Sequence, residues 1–142
     1  MAYRWRLFFA GVVLGIGGFI AMFLVGTHNL DKSAESYARL SAIAIFSTWD
    51  DKQLLDRASA AFLVNTTPDA IHSSFGSLSK LGRLIEVNRL DGGLRYNISL
   101  NSSAMATYTA TAQFDKGKLH FQIDLIKTGA DWKIQAFRIT TL

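Results

Sequence analysis

The side chains that could do chemistry in this chain are three histidines, eleven carboxylates and four tyrosines. His28, His72 and His120 have no second histidine, cysteine or carboxylate at metal-ligand spacing, such as the i, i+4 pair of a helical zinc site. Asp50 and Asp51 precede a helical pattern, where carboxylates accept hydrogen bonds from free N–H groups and favour the positive end of the helix. We therefore predict a helix cap there rather than an acid–base pair, and no metal ion or other cofactor.

An isomerase-type site would need an aspartate base and hydrogen-bond donors such as tyrosine inside a cavity. Tyr37, Tyr96 and Tyr108 are expected to point inward, but Asp124 alternates with core residues and so falls on the opposite face of its strand. Asp56 lies off the apolar face of its helix. The chain also has no cysteine, no serine nucleophile elbow and no glycine-rich phosphate loop. The sequence therefore predicts a domain that is not an enzyme.

Three amphipathic helices are predicted before any strand. The first runs to about Trp49, and its wide apolar stripe predicts that it is mostly buried. The second covers Lys52–Phe62, and the third begins at Thr67 and Pro68 and ends before Gly82. The apolar residues assigned to the first helix are Tyr37, Leu40, Ala42, Ile43, Ala44, Ile45, Phe46 and Trp49.

After the third helix the apolar period changes to two, which is typical of β-strands. Strands are predicted at Leu84–Leu90 and Leu94–Leu100, joined by a hairpin turn at Asp91–Gly93, and three more follow within residues 104–142. The apolar phase of the last strand slips by one residue near Ala136, which predicts a β-bulge. Helices followed by strands predict an α+β fold, with three helices packed on an antiparallel sheet of about five strands.

One of these strands places alanines on its predicted core face. Small residues there allow a helix to pack closely, or they leave a pocket open for a ligand. The sequence leaves both interpretations open. The pocket would be floored by Ala106, Ala110 and Ala112 and walled by Trp49, Tyr108, Phe114 and Phe121.

Residues Leu7–Val25 form an apolar run without charge. As a helix this run would span roughly 29 Å, about the hydrocarbon thickness of a bilayer. Arg4 and Arg6 precede it, so the positive-inside rule places the N-terminus in the cytoplasm. A cleavable signal peptide is the competing interpretation, but no convincing small-x-small cleavage site follows. We therefore expect an uncleaved transmembrane anchor in a bacterial inner membrane, with a periplasmic or extracellular domain.

The expected organisation is an anchor over residues 1–26, a short spacer over residues 27–33 and a folded domain over residues 34–142. Within the anchor, small residues on one face of a helix would let a second helix approach closely, although glycine is also common in membrane helices. The residues for this contact are Gly11, Gly15 and Gly18.

The net charge of +4 is not concentrated in a basic block, and basic residues do not alternate with stacking aromatics. Nucleic-acid binding is therefore not expected. The partners that the sequence predicts are the lipid bilayer and a protein, either a different one or a second copy of this chain.

Several short segments carry a resemblance to a known family. They are Phe46-Ser47-Thr48-Trp49-Asp50, Leu81-Gly82, residues 108–114, Gly117, Leu125-Ile126-Lys127 and the stretch 132–139 that begins Trp132-Lys133-Ile134. With the order of helices and strands, they resemble the nuclear-transport-factor-2-like (cystatin-like) superfamily, in particular its membrane-anchored or secreted bacterial domains. Ala136 stands where these domains usually have glycine. The resemblance covers residues 34–142 and implies a cone-shaped α+β fold.

The superfamily includes isomerases and dehydratases, small-ligand binders, dimerising scaffolds and inner-membrane subunits of type IV secretion machines, so the fold does not choose a function. We expect a single-pass membrane protein whose outward domain binds a protein partner, as an accessory or assembly subunit of a membrane complex. One alternative is a small apolar ligand binder, or an isomerase-type enzyme, that uses the cavity between helices and sheet. Another is a secretion-machine inner-membrane subunit, by analogy with the order of anchor and domain.

Overall fold

The computed structural model describes residues 30–95 and 103–142, and everything below concerns these residues. Within them, no helix is both long enough and apolar enough to cross a bilayer. The predicted anchor Leu7–Val25, including Gly11, Gly15 and Gly18, lies outside the described residues. The predicted boundaries of the anchor and spacer therefore stay predictions.

Four α-helices precede the sheet in the described part of the chain. They are α1 (residues 30–48), α2 (Asp51–Leu55), α3 (Ala60–Asn65) and α4 (Pro68–Leu78), and a short 3₁₀ turn, Ser79–Leu81, follows α4.

The start of α4 agrees with the sequence prediction. The Thr67 hydroxyl accepts a hydrogen bond from the Ala70 N–H at 3.2 Å, and Pro68 occupies the first helical position. Gly82, with a φ of +87°, ends the 3₁₀ turn that continues α4. Local capping signals therefore set both ends of this segment.

The second predicted helix, Lys52–Phe62, is wrong as a single element, because the chain breaks between α2 and α3. The Ile134 N–H donates to the Arg57 carbonyl at 2.7 Å, and the Ser59 N–H donates to the Ile134 carbonyl at 2.8 Å. The Ser59 hydroxyl then caps α3 by accepting from the Phe62 N–H at 3.2 Å. Pairing with a distant strand interrupts the helix, and α3 extends to Asn65, beyond the predicted helix end at Phe62.

Five antiparallel strands form one sheet, which confirms the α+β prediction. The strands are β1 (Leu84–Val87), β2 (Asp91–Arg95), β3 (Met105–Phe114), β4 (Gly117–Thr128) and β5 (Asp131–Thr141). Strand β3 lies between β4 and the β1–β2 edge, and β5 forms the opposite edge.

The predicted hairpin turn at Asp91–Gly93 is wrong, because these residues belong to β2. In the ladder with β3, Gly92 lies opposite Tyr108 and Gly93 lies opposite Thr107. Strand β1 pairs with the other half of β3, at residues 112–114, so β1 and β2 follow one another along the same edge. The glycines therefore allow close approach to a neighbouring strand rather than a reversal of the chain.

Residues 88–90 separate β1 from β2. Arg39 of α1 contacts this segment by donating from Nη1 to the Val87 carbonyl at 3.1 Å and from Nη2 to the Asn88 carbonyl at 3.2 Å. A helix side chain therefore satisfies backbone acceptors where the strand is interrupted.

Strands β3 and β4 alternate as the period of two predicted. Their core face carries Ala106, Tyr108, Ala110, Ala112, Phe114, Leu119, Phe121, Ile123 and Leu125, all of them buried. The predicted β-bulge is also confirmed, because Leu125 pairs with Ile134 and Asp124 pairs with Ala136, which leaves Gln135 as the extra residue. Beyond this bulge Phe137 and Ile139 return to the core face, opposite Ile123 and Phe121.

Helix α1 turns a different face to the sheet than its apolar stripe predicted. Leu40 and Ile43, assigned to the buried stripe, are 64% and 39% exposed. The sheet-facing side has mainly small residues, which let the helix backbone lie close to a sheet whose central strand carries alanines. The buried residues of α1 are Ala34, Ala38, Ser41, Ala42, Ile45 and Phe46.

Candidate functional site

Aromatic rings fill the space where the end of α1 covers the sheet. The Phe46 ring centroid lies 5.0 Å from that of Phe121, 5.9 Å from Phe114 and 5.7 Å from Phe137. Trp49 stacks on Phe114 with centroids 5.7 Å apart. These edge-to-face and offset contacts are the arrangements that aromatic pairs prefer.

The residues predicted to line a pocket are placed within this packing. Six of them are at most 5% exposed, and Trp49 borders a more open hollow beside the start of α2. Four hollows on the surface of the described domain are lined by residues other than these six. A pocket beneath the helices at these positions therefore stays a prediction. The six residues are Ala106, Tyr108, Ala110, Ala112, Phe114 and Phe121.

An open hollow of about 330 Å³, lined by apolar side chains and three hydroxyl-bearing ones, lies between the short helices and the end of β5. We call it the helix–sheet hollow. One wall comes from α2, α3 and α4, and the other from the core face of β5 beyond the bulge. Its size and apolar walls suit a small apolar molecule or the side chains of a partner. Its lining consists of Leu54, Phe62, Thr66, Ala70, Ile71, Ser74, Phe75, Leu78, Phe137, Ile139 and Thr141.

Trp49 ends α1 in a left-handed conformation with a φ of +51°, which is unfavourable for a side chain of this size. Its backbone N–H donates to the Ile45 carbonyl at 2.8 Å. Its indole N–H is buried without a hydrogen-bond partner in the described part of the chain. A strained backbone and an unpaired donor each cost about 1–3 kcal/mol. The ring contacts with Phe46, Phe75 and Phe114 stabilise this conformation.

Beside Trp49, an open hollow of about 350 Å³ contains a histidine–carboxylate pair. His72 Nδ1 lies 2.8 Å from the Asp51 carboxylate, and the His72 side chain is 81% exposed. The Asp50 carboxylate accepts from the Lys52 N–H at 3.0 Å, which confirms the predicted cap. The pair therefore connects α4 to the first turn of α2, in a position where solvent screens it.

The remaining histidines are His120 and His28. His120 is exposed on the outer face of β4, and His28 lies outside the described residues. Among residues 30–95 and 103–142, no group of three or more His, Cys, Asp or Glu side chains is arranged to hold a metal ion.

The sheet face away from the helices carries a polar cluster at the bulge. The Asp124 carboxylate accepts from Gln122 Nε2 at 2.9 Å and from Arg138 Nη1 at 3.1 Å. This confirms that Asp124 lies off the core face. Asp56 is exposed, and Tyr96 lies outside the described residues. Neither Asp56 nor Asp124 is therefore placed as an interior base.

The outward side of α1 carries two exposed apolar side chains. Leu40 and Ile43 lie one turn apart there, between the exposed Ser36 and Ser47. Leu40 also borders a hollow of about 460 Å³ that Tyr37 and residues 130–133 help to form. The two side chains form a small apolar patch that a second molecule could cover.

Tyr37, beside this surface, should make stability depend on alkaline pH. Burial raises the pKa of its hydroxyl, an effect that nearby Arg57 and Ser41 oppose and that Asp131 adds to. The folded state therefore holds the Tyr37 proton more tightly than the unfolded state. This contribution is complete below about pH 10 and is lost as the pH rises through the folded-state pKa. We expect Tyr37→Phe to reduce the loss of unfolding free energy above pH 10, measured by urea unfolding from pH 8 to 11. Equal alkaline slopes for both proteins would contradict it.

Part of the β5 backbone has no partner among residues 30–95 and 103–142. On the edge of β5 that faces away from β4, Ile134 bonds to Arg57 and Ser59. At the other end, the Leu142 N–H donates back to the Lys118 carbonyl of β4 at 3.4 Å. Bonded and non-bonded pairs alternate along an antiparallel ladder, so Ile139 and Thr141 direct their N–H and C=O groups away from β4.

No known protein family, curated protein or solved structure matches this chain.

The sequence did not single out the outward side of α1 or the edge of β5. Alanines at positions 34, 38 and 42 repeat every four residues, and that repeat was a signal for a closely packed helix face with Leu40 outside it. For the edge, the signal was the place of β5 as the last strand of an antiparallel series, since each strand pairs first with the one before it.

Proposed function

We propose that this chain is a single-pass bacterial inner-membrane protein whose outward domain binds a protein partner without catalysing a reaction. The apolar run Leu7–Val25 and the arginines before it support an anchor with a cytoplasmic N-terminus. The order of helices and strands supports a cone-shaped domain of the nuclear-transport-factor-2-like superfamily. The domain would then be an accessory or assembly subunit of a membrane complex.

The observation that carries the proposal is the exposure of Leu40 and Ile43 on α1. Burying a leucine or isoleucine side chain contributes about 1.5–3 kcal/mol when it is fully removed from water. The opposite face of α1 already packs on the sheet, so these two residues are not needed there. A protein surface that covers them would gain this energy, and an interface core is the usual place for such residues.

The non-catalytic part of the proposal rests on the polar side chains. Asp124 is held by Gln122 and Arg138 on the outer sheet face, and the His72–Asp51 pair is open to solvent. Both arrangements suit local structure better than acid–base chemistry, which needs a carboxyl or imidazole shielded from water beside a substrate.

The test is site-specific photo-cross-linking of the full chain in its native membrane. A benzophenone side chain at position 40 or 43 should cross-link to a partner, and the same group at the exposed Lys116 should not. Leu40→Lys combined with Ile43→Lys should reduce recovery of the complex at least about tenfold, because two charges would be buried. Ser47→Lys on the same helix is the matched control and should leave recovery unchanged. Equal cross-linking from positions 40 and 116 would reject the proposal.

A second candidate function, a small apolar ligand binder or isomerase-type enzyme, is favoured by the helix–sheet hollow. Its volume of about 330 Å³ would hold a molecule of one or two rings. We would add indole to the full chain in detergent and measure nuclear Overhauser contacts to the methyl groups of Ile71 and Ile139. Contacts that Ser74→Trp removes by filling the hollow would support this function. Their absence at millimolar indole would count against it.

A further inference from the structure

We propose that the open edge of β5 binds an extended segment of a partner protein as a sixth strand, and that this segment alternates apolar and acidic side chains. The proposal rests on the proposed interaction function. It adds a site on that domain and the chemistry of the segment that this site accepts.

The backbone of β5 offers the hydrogen bonds that such a strand needs. Thr140 pairs with His120 and Arg138 pairs with Gln122 in the β4 ladder. The alternation of the ladder directs the N–H and C=O groups of Ile139 and Thr141 to the opposite side. An added strand of about five residues would satisfy these groups, and main-chain bonds of this kind supply the affinity in strand-addition complexes.

One segment of the chain already forms backbone hydrogen bonds with this edge of β5. Arg57 and Ser59 pair with Ile134 in a parallel bridge, and the backbone pairing stops there because Ser59 caps α3, which lines a hollow beside residues 135–138. The extra residue Gln135 follows immediately, and the strand beyond this bulge continues without a second partner in the described part of the chain. A partner strand would therefore occupy the edge where the internal one stops.

On the core face, the edge borders an apolar space. Phe137, Ile139 and Thr141 face this side and form one wall of the helix–sheet hollow. Successive side chains of an added strand point to opposite faces of the sheet, so every second side chain would point into the hollow. Its other walls include Leu54, Ile71 and further apolar residues of the helices. Valine, isoleucine or leucine in the partner segment would fit this face.

On the outer face, the same edge is basic. The Arg138 side chain is 63% exposed, and Lys118 is exposed on the neighbouring strand. Asp124 is the acidic residue near them, and it is already bonded to Arg138 and Gln122. The intervening side chains of the partner segment would lie on this face beside Arg138. Charge complementarity therefore favours glutamate or aspartate there and disfavours lysine.

The test measures binding of a labelled peptide to the full chain in mild detergent, with empty micelles as the baseline. The probe is a capped seven-residue peptide in which valine alternates with glutamate, and the control peptide has lysine in place of glutamate. Fluorescence anisotropy should show saturable binding of the glutamate peptide, weakened at least about tenfold in the lysine peptide. A third peptide, with N-methyl groups on the residues that face β5, should not bind. Equal binding of all three peptides would overturn the proposal.

Two substitutions locate the site. Arg138→Glu should reverse the preference and favour the lysine peptide, whereas Arg95→Glu, the same charge change on the other edge of the sheet, should not. Thr141→Pro should weaken binding at least about tenfold, because it removes an outward N–H and leaves the β4 ladder bonded. Identical effects of Arg138→Glu and Arg95→Glu would overturn the site. If Thr141→Pro alters the circular dichroism spectrum, the N-methylated peptide decides the matter.

The result also separates this proposal from the interaction function. Cross-linking from positions 40 and 43 does not depend on the β5 edge, so a captured partner without peptide binding rejects only the strand addition. Peptide binding without a cross-linked partner supports the edge and rejects the role of α1. A concentration-dependent dimer in sedimentation, abolished by Thr141→Pro, would assign the edge to a second copy and overturn the proposed partner segment.

Discussion

Gly92→Ala should lower the free energy of unfolding by about 3 kcal/mol or more. Gly92 has a φ of +139°, a conformation that side chains rarely adopt, and an added Cβ would overlap the Thr107 carbonyl oxygen. That Cβ would also lie 2.9 Å from the Thr107 carbonyl carbon and 3.0 Å from the Tyr108 Cα. These atoms belong to the backbone of β3, which lies between two neighbouring strands, so they have little freedom to move. Urea unfolding monitored by circular dichroism measures the loss.

Gly76→Ala is the matched control, because it makes the same chemical change inside α4. An added Cβ at Gly76 meets no atom within 4 Å. Alanine is favoured over glycine in a helix interior by about 0.5–1 kcal/mol, so this variant should be more stable than the wild type. Equal losses at both glycines would show that β2 does not approach β3 as closely as described.

Phe46→Ala should cost about 3–5 kcal/mol of unfolding free energy, the range for removing a buried phenylalanine. The Phe46 ring is 1% exposed and meets the rings of Trp49, Phe114, Phe121 and Phe137. Rings on a sheet and at a helix end are held by several elements, so they cannot close the space that the deletion leaves. Thermal and urea unfolding should both report the change.

Ile43→Ala, on the same helix three residues earlier, is the control for Phe46→Ala. Ile43 is 39% exposed, and alanine is the better helix former, so the loss should stay below about 1 kcal/mol. If Ile43→Ala cost as much as Phe46→Ala, the face of α1 that packs on the sheet would be assigned incorrectly. The cross-linking proposal for Leu40 and Ile43 would then fall with it.

The sheet could be predicted from the sequence where the signal is local. From Ala106 to Phe114 in β3 and from Lys118 to Leu125 in β4, buried and polar side chains alternate, and a period of two has no other common cause. The bulge at Gln135 followed from the same rule, since a slip of the apolar phase needs one unpaired residue. The α+β class and the cap at Thr67 likewise depend on neighbouring residues alone.

The predictions were wrong where contacts with residues distant in the sequence determine the local structure. Asp91–Gly93 has the composition of a hairpin turn, but its glycines serve a close approach to β3, which lies far along the chain. The break at Arg57–Ser59 has a helical pattern and is opened by hydrogen bonds to Ile134. Tertiary contacts of this kind override local propensity. The spacing of residues within either segment does not indicate them.

The surfaces proposed for binding were the hardest part to predict. Leu40 and Ile43 have the composition of core residues, and only the alanine face that competes with them explains their exposure. The number of β5 backbone groups left without an internal partner depends on where the pairing of Arg57–Ser59 with Ile134 stops, and Ser59 stops it by capping α3. Sequence patterns indicate which residues are apolar enough to be buried. More than one face of a helix can satisfy the same pattern.

Arg39 has a consequence for how these molecules behave at high concentration. Its guanidinium donates to the Val87 and Asn88 carbonyls between β1 and β2. Uninterrupted strand edges at both ends of a sheet would let molecules polymerise into fibres, and natural sheets protect such edges with β-bulges and charged side chains. A strand from a second copy that approached Val87 and Asn88 would find these two acceptors already bonded. Arg39 therefore disfavours the growth of a fibre from this part of the β1–β2 edge.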